Sequence, residues 1–261
     1  MNVVDFPGLG LTFNIDPTAF SLFGRDIKWY ALILTTGLVL GAIFAMFEAK
    51  RVGVSQDTIL DIVLYGTPTA IVFARAYYVV CEWDYYSRHK EEIIKIWNGG
   101  IAIYGAIIGA VLAALLYCRA KKLNVGKIFD ICSFGLLIGQ IVGRWGNFVN
   151  AEAHGGETTL PWRMYIAEIN QAVHPTFLYE SLWNLVGFVL LFLYRKRKKF
   201  EGEIFLMYVA WYGVGRAFIE GLRTDSLYIA HTGIRTSQLL AVVTVLASVC
   251  FIIYNRRKNK R

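Results

Sequence analysis

The stretch IFDICSFGLLIGQIVGRWGNFVNAEAHGG, Ile128 to Gly156, starts as an apolar run and finishes on an arginine, two asparagines and a glutamate. Its apolar part, Ile128–Val149, reaches the ~20 residues a helix needs to cross a bilayer. Within it Gly135, Gly139, Gly143 and Gly146 recur at helical spacing and share one face. Small residues at that spacing let a second helix approach closely, which presses Arg144 and Asn147 against a neighbour. A charged side chain inside such a run costs on the order of 2.5–3.5 kcal/mol on insertion scales. Arg144 therefore needs a polar destination.

Working outward, six further runs have the same character: Trp29–Phe47, Thr58–Cys81, Gly99–Cys118, Thr176–Tyr194, Glu203–Gly221 and Thr236–Tyr254. Trp, Tyr, Lys or Arg flank most of them, as interfacial anchoring requires. The chain is 56% hydrophobic and 18% charged, with a mean hydropathy of +0.46. That balance argues against an ordinary soluble domain. The expected fold is all-α, a polytopic membrane protein of seven transmembrane helices forming a single integral membrane domain over residues 1–261. The start, MNVVDFPGLGLTFNIDPTAF, has no basic n-region and no apolar h-region before a cleavage site, so the first run is expected to be an uncleaved span. The start itself reads as a short exposed segment with aromatic residues, lying on the membrane surface.

The net charge of +8 sorts by loop. Sixteen of the 27 Lys and Arg follow the first, third and fifth runs or lie in the tail, among them Arg195–Lys199 and five between Arg256 and Arg261; eight lie in the alternate loops. The positive-inside rule then puts the N-terminus outside and the C-terminus in the cytoplasm. Basic residues beside membrane spans set topology and touch lipid, so no nucleic-acid partner is expected.

Arg75, Arg144 and Arg216 lie within runs. At 1.5 Å per residue, Arg144 is about 24 Å along its outward run and Arg216 about 20 Å along its own. Tyr30, Tyr104 and Glu180 fall early in the first, third and fifth runs, and Arg75 late in the second. Polar groups from six runs thus collect at one depth beneath the outer surface. Either they share a cavity, or each arginine snorkels separately to the headgroups. In the sixth run Tyr212, Arg216, Glu220 and Arg223 step by 4, 4 and 3, so they share one face. An Arg216–Glu220 pair within the helix is the simplest reading of that stripe. Asn150 to Pro175 forms the longest outer loop, and residues 150–175 are expected to make a small extracytoplasmic cap.

The four cysteines form no Cys-x-x-Cys pair, and His89, His154, His174 and His231 show no ligand spacing. No metal and no other cofactor is expected. No internal repeat relates the two halves, which counts against an inverted-repeat transporter.

GRWGNFVNAEAHG resembles the signature of the bacterial prolipoprotein diacylglyceryl transferase family, Gly-Arg-x-Gly-Asn-Phe-x-Asn-x-Glu-x-x-Gly, matching at Gly143, Arg144, Gly146, Asn147, Phe148, Asn150, Glu152 and Gly155. KWYAL around Tyr30, WNGGIAIYGAIIG, HPTFLYE from His174 to Glu180, YGVGRAFIEGLR from Tyr212 to Arg223, and SQLLA near Gln238 resemble further family blocks in the same order. The resemblance runs from about residue 25 to 245. It implies transfer of the diacylglyceryl group of phosphatidylglycerol to the lipobox cysteine of a prolipoprotein signal peptide, with a thioether formed and glycerol 1-phosphate released. It also implies a multi-pass protein of the bacterial cytoplasmic membrane, bathed in membrane lipids, with its site toward the outer leaflet.

That reaction needs positive charge at the leaving phosphate and a route for the thiol proton, since a free cysteine has a pKa near 8.5. Arg144 is the first candidate for the phosphate, because a guanidinium binds its oxygens bidentately. Arg216 is the second, on the phosphate or gating with Glu220. Asn147, Asn150 and Glu152 are candidates for orienting the head group or Arg144; Gly155, Tyr30, Tyr212, His174 and Glu180 complete the expected binding set. Tyr104 stands where many family members carry a histidine proposed as the base, and with a pKa near 10 it is a poorer one. Either Tyr104 positions substrate, or the proton leaves through His174, Glu152 or the phosphate itself. A transporter or flippase using the same arginines, and a non-catalytic scaffold, are the competing classes. Apolar inner halves such as GAVLAALLY and NLVGFVLLFLY favour a one-sided site over a transport path.

Overall fold

The computed structural model describes residues 1–224 and 235–259, with the Asn98 side chain excepted; His231, Lys260 and Arg261 lie outside that description. The chain is mostly helical and divides into two compact units, Met1–Phe44 with Phe129–Arg261, and Ala45–Ile128. Eight helices are described: α1 Trp29–Arg51, α2 Gln56–Cys81, the single-turn α3 Trp83–Tyr86, α4 Ile103–Ala120, α5 Val125–Val149, α6 Thr176–Tyr194, α7 Glu203–Glu220 and α8 Thr236–Lys258. Each of the seven expected runs is a helix. Among the described residues six helices are long and apolar enough to cross a membrane. The other long one, α7, carries Glu203, Arg216 and Glu220 within 18 residues. The third run starts later than its composition suggests, because Gly99 and Gly100 take positive φ of 86° and 75° and hold the chain out of the helix until Ile103.

In the first unit the glycine stripe of α5 does what its spacing requires. A Cβ on Gly41 of α1 would fall 2.5 Å from the Gly135 carbonyl oxygen, and one on Gly37 would fall 3.3 Å from Gly139. Aromatic and aliphatic side chains fill the space beyond: Phe134 and Leu137 from α5, Leu191 from α6, and Ile204 and Tyr208 from α7 are all buried. In α7 Gly213 meets α8, where a Cβ would lie 3.1 Å from the Ala241 carbonyl oxygen.

The all-α expectation misses a small sheet. Strands β1 Asn2–Phe6, β2 Leu11–Ile15, β5 Met164–Ile166 and β6 Gln171–Val173 pair in the order β2-β1-β5-β6. All pairings are antiparallel, with Val4 opposite both Phe13 and Ile166, and Met164 opposite Val173. Alternation puts Val4 and Phe6 on the buried face with Met164, Ile166 and Val173, packed on Phe148 of α5 and Phe177 of α6. The N-terminal segment is therefore not simply an exposed stretch; its first strand is core. A separate hairpin, β3 Thr18–Leu22 and β4 Arg25–Lys28, leads straight into α1.

In the second unit α2 packs on α4 through Gly105 and Gly109, where a Cβ would meet Phe73 and Tyr77 of α2 at 2.3 to 2.7 Å. Arg75, buried in α2, turns inward to backbone carbonyls rather than to another charged side chain among the described residues. It donates to the carbonyls of Glu92, Ile93, Gly99 and Gly100 at 2.6 to 2.8 Å, and its guanidinium sits 5.0 Å from the Tyr86 ring centroid. Its charge organises the loop that precedes α4.

Candidate active site

The site is built around a carboxylate. Glu180 lies in the second turn of α6 and is 4% exposed. An ionised carboxylate that deep needs cationic partners, and the ends of two helices deliver three. Arg144, near the end of α5, pairs through Nη2 with Glu180 Oε2. Arg216 of α7 and Arg223, just past it, bring their Nη1 atoms to 3.2 and 3.4 Å from Glu180 Oε1.

From there the network runs both ways. Arg216 Nη2 lies 2.7 Å from Glu220 Oε2 one turn on, so the expected pair within the helix is present. Glu220, 2% exposed, also accepts from Ser237 Oγ at 2.8 Å, and Arg235 donates to its backbone carbonyl. On the other side Arg144 Nη1 donates to Asn147 Oδ1 at 3.3 Å, and Asn147 Nδ2 donates to the Glu152 carboxylate at 3.0 Å. Among the described residues the network joins the guanidiniums of Arg144, Arg216, Arg223 and Arg235 with the carboxylates of Glu152, Glu180 and Glu220. Each guanidinium offers five N–H donors in a planar fork, a geometry that matches the oxygens of a phosphate.

The loop after α5 fixes the rim. Gly155 N donates to the His174 carbonyl at 3.0 Å, Gly156 N to the Leu222 carbonyl at 2.8 Å, and Gly155 bridges to Arg223. A Cβ on Gly155 would fall 2.7 Å from His174 Cβ and 3.0 Å from the Leu222 carbonyl oxygen. Gly155 thus lets three backbone segments meet where Arg223 turns toward Glu180. His174 has its Nδ1 3.3 Å from Tyr179 Oη, which also accepts from Trp162 Nε1 at 2.8 Å. These three side chains, with Leu160, Leu178, Leu182 and Leu222, line an apolar hollow of about 490 Å³.

Tyr30 packs its ring on Gly146, where a Cβ would come within 2.7 Å of it. Asn150 is half-buried and its backbone N donates to the Gly146 carbonyl at 3.1 Å. Tyr212 stacks on Tyr208, centroids 6.2 Å apart, in the packed core one turn from Arg216. Tyr104 belongs to the second unit, beside Tyr77 at a centroid distance of 6.4 Å.

Of the groups expected at one depth, Arg144, Glu180 and Arg216 therefore form one network, joined by Asn147, Glu152 and Glu220, whereas Arg75 and Tyr104 belong to the second unit. Arg223 was legible as the last step of the α7 stripe, yet it reads in sequence as a loop cation. Arg235 and Ser237 carry no spacing signal at all; only the return of the chain into α8 brings them to Glu220.

The sequence pattern of the family described as prolipoprotein diacylglyceryl transferase matches residues 17–254. Proteins named phosphatidylglycerol–prolipoprotein diacylglyceryl transferase are similar over nearly their whole length. The one from Finegoldia magna is 48% identical over 94% of this chain and 97% of its own. That from Clostridioides difficile is 43% identical over 94% and 98%, and that from Lysinibacillus sphaericus 44% over 96% of each. A chain matched along this much of its length, with Arg144, Asn147 and Glu152 of the signature in one network, belongs to the prolipoprotein diacylglyceryl transferase family.

Proposed function

We propose that this protein transfers the diacylglyceryl group of phosphatidylglycerol to the cysteine thiol in the lipobox of a prolipoprotein signal peptide. The observation that carries the reading is the convergence of Arg144, Arg216 and Arg223 on the buried Glu180. The guanidinium forks of Arg144 and Arg216 suit a phosphodiester, which bears one negative charge. Glu180 holds the guanidinium forks in place, and preorganised donors at developing negative charge are the largest single source of rate in many enzymes.

In this reading the thiolate sulfur attacks the glycerol carbon of the diacylglyceryl group. The carbon–oxygen bond to phosphate breaks as the carbon–sulfur bond forms, and glycerol 1-phosphate leaves, its new charge met by Arg144 and Arg216. Glu152 takes the thiol proton: it is exposed, and it is tied through Asn147 to Arg144. The proton then passes to the departing phosphate. Asn147 and Asn150 orient the head group, Tyr30 and Tyr212 wall the site, Gly155 and His174 shape its rim, and the hollow beside Leu222 accommodates hydrocarbon. Tyr104 keeps a positioning role that rests on its place in the family pattern.

The proposed setting is the bacterial cytoplasmic membrane, with α7 as a seventh span alongside the six apolar helices. The N-terminus is outside, the C-terminus cytoplasmic, residues 150–175 an extracytoplasmic cap, and the site faces the outer leaflet. Incubating the purified protein with phosphatidylglycerol and a one-cysteine lipobox peptide tests the activity. Mass spectrometry should show a diacylglyceryl gain on the peptide, absent when its cysteine is serine, with glycerol phosphate released in equal amount. No gain from folded protein, beside an active known transferase, would overturn the reading. Membrane-impermeant labelling of cysteines placed in residues 150–175 tests the topology; labelling only after the membrane is opened would invert it.

A further inference from the structure

Two tryptophans face each other across α6 and α7 in a reciprocal arrangement. Trp183 Nε1 donates to the Trp211 carbonyl at 2.9 Å, and Trp211 Nε1 donates to the Trp183 carbonyl at 2.9 Å. The rings are stacked, centroids 4.4 Å apart and planes 18° from parallel. Each indole lies on a glycine of the opposite helix. A Cβ on Gly215 would fall 2.2 Å from Trp183 Nε1, and one on Gly187 would fall 2.4 Å from Trp211 Nε1.

Tryptophans near a membrane interface ordinarily anchor by sending the indole N–H toward headgroups. Here both N–H groups turn inward, to helix carbonyls whose second lone pair is open. The arrangement is also self-complementary: Trp183 and Gly187 on α6 answer Gly215 and Trp211 on the antiparallel α7. A slip of one turn, about 5.4 Å, breaks both hydrogen bonds and drives both rings off their glycines.

Arg216 follows Gly215 directly, and Glu180 lies three residues before Trp183, so the register that the indoles hold is the register that sets the 3.2 Å Arg216–Glu180 contact. We propose that Trp183 and Trp211 are positioning residues for the transfer reaction: their clasp fixes α6 against α7 so that Glu180 meets Arg216 and Arg223. This rests on the activity proposed above.

The test compares Trp183→Phe and Trp211→Phe, which keep a ring and lose the N–H. Each should lower turnover at saturating phosphatidylglycerol and lipobox peptide by about tenfold or more, since small misplacements of catalytic groups are costly. Combined with Arg216→Lys, either should add no more than about a twofold further loss, because both changes break one contact. A merely structural role would multiply the two losses. If the Phe variants do not fold, Gly187→Ala replaces them, its Cβ displacing the Trp211 ring.

A second readout does not depend on activity. Spin labels on Leu193→Cys and Phe218→Cys, both exposed and outside the site, report the spacing of α6 and α7 with exposed Cys81 and Cys250 replaced by serine. The distance distribution should shift or broaden in Trp183→Phe. Unchanged turnover in both Phe variants, multiplicative losses with Arg216→Lys, or an unchanged label distance overturns the clasp. Absence of transfer by the unsubstituted protein overturns the proposed activity instead, and the label distance then judges the clasp alone.

Discussion

The first unit holds two buried charge clusters, one near each end of α5, and they are built differently. At the end of α5 three arginines surround Glu180, with Arg235 and Glu220 adjoining. At the start of α5 Asp130 accepts from Lys198 Nζ at 2.9 Å and from the backbone N of Gly202 and Phe205 at 3.0 and 2.9 Å. Beside it Glu203, fully buried, accepts from the backbone N of Lys199 and from Arg256 Nε. In this second cluster the carboxylates are spent on backbone amides and single cations, and what they hold is the turn from α6 into α7. In the first, the carboxylates are met by guanidinium forks, Arg144 and Arg216 among them. Burial and ion pairing are common to both, so neither identifies a site. The guanidinium forks do, because they can bind phosphate oxygens bidentately, whereas backbone amides already spent on a carboxylate cannot.

The contrast is sharpest at Arg144. Arg144→Ala should lower diacylglyceryl transfer by roughly 10²–10³-fold, the range for removing one donor from developing negative charge. The protein should still melt cooperatively in detergent. Turnover within a few fold of the unsubstituted protein would put the phosphate elsewhere.

Glu180→Gln tests whether the carboxylate holds the forks in place. It removes the charge that three arginines share, and breaking a buried pair typically costs about 3–5 kcal/mol. Both turnover and melting temperature should fall, turnover by about 10²-fold if the guanidiniums shift by near 1 Å. Full activity would show that the arginines hold their places without it.

Glu203→Gln is the matching change in the brace. Losing a charge-assisted hydrogen bond costs about 1.5–3 kcal/mol, so the melting temperature should drop. Turnover per folded molecule should stay within about twofold of the unsubstituted protein. A large loss of turnover by well-folded Glu203→Gln would abolish the distinction between the two clusters.

These clusters also show how far the chain could be read without coordinates. Helix periodicity is local, so the seven helices, the glycine face of α5 and the Tyr212–Arg216–Glu220–Arg223 stripe were legible, and the Arg216–Glu220 pair followed directly. Glu180 was legible from its depth and as a family match, but not as the partner of three arginines, because an acidic residue early in an apolar helix has no spacing partner. The sheet was not legible. β5 and β6 have three residues each, and β1 finds β5 only across more than 150 residues of chain, a pairing with no local signature. Arg75 looked like its neighbours in depth, but its partners are backbone carbonyls, which every sequence has and none advertises.

Alkaline pH separates the clusters by a smaller margin. Burial pulls the Lys198 ammonium down, but its hydrogen bonds to Glu201 and Asp130 outweigh that, and its pKa ends above the ordinary 10.5. A group whose pKa is raised on folding contributes stability that is fully present below its unfolded pKa and is lost as pH rises through the folded value. Lys198→Met should therefore lower the melting temperature by a few degrees, for a loss of about 1 kcal/mol, at any pH below about 10. The gap should close as pH rises past 10.5 toward the folded value, where the unsubstituted protein loses the same charge. The arginine cluster has no such window, because a guanidinium does not deprotonate in proteins. A Lys198→Met difference that persists undiminished above that pH would mean Lys198 acts through its packing rather than its charge, and the brace would then owe its strength to the amides on Asp130 alone.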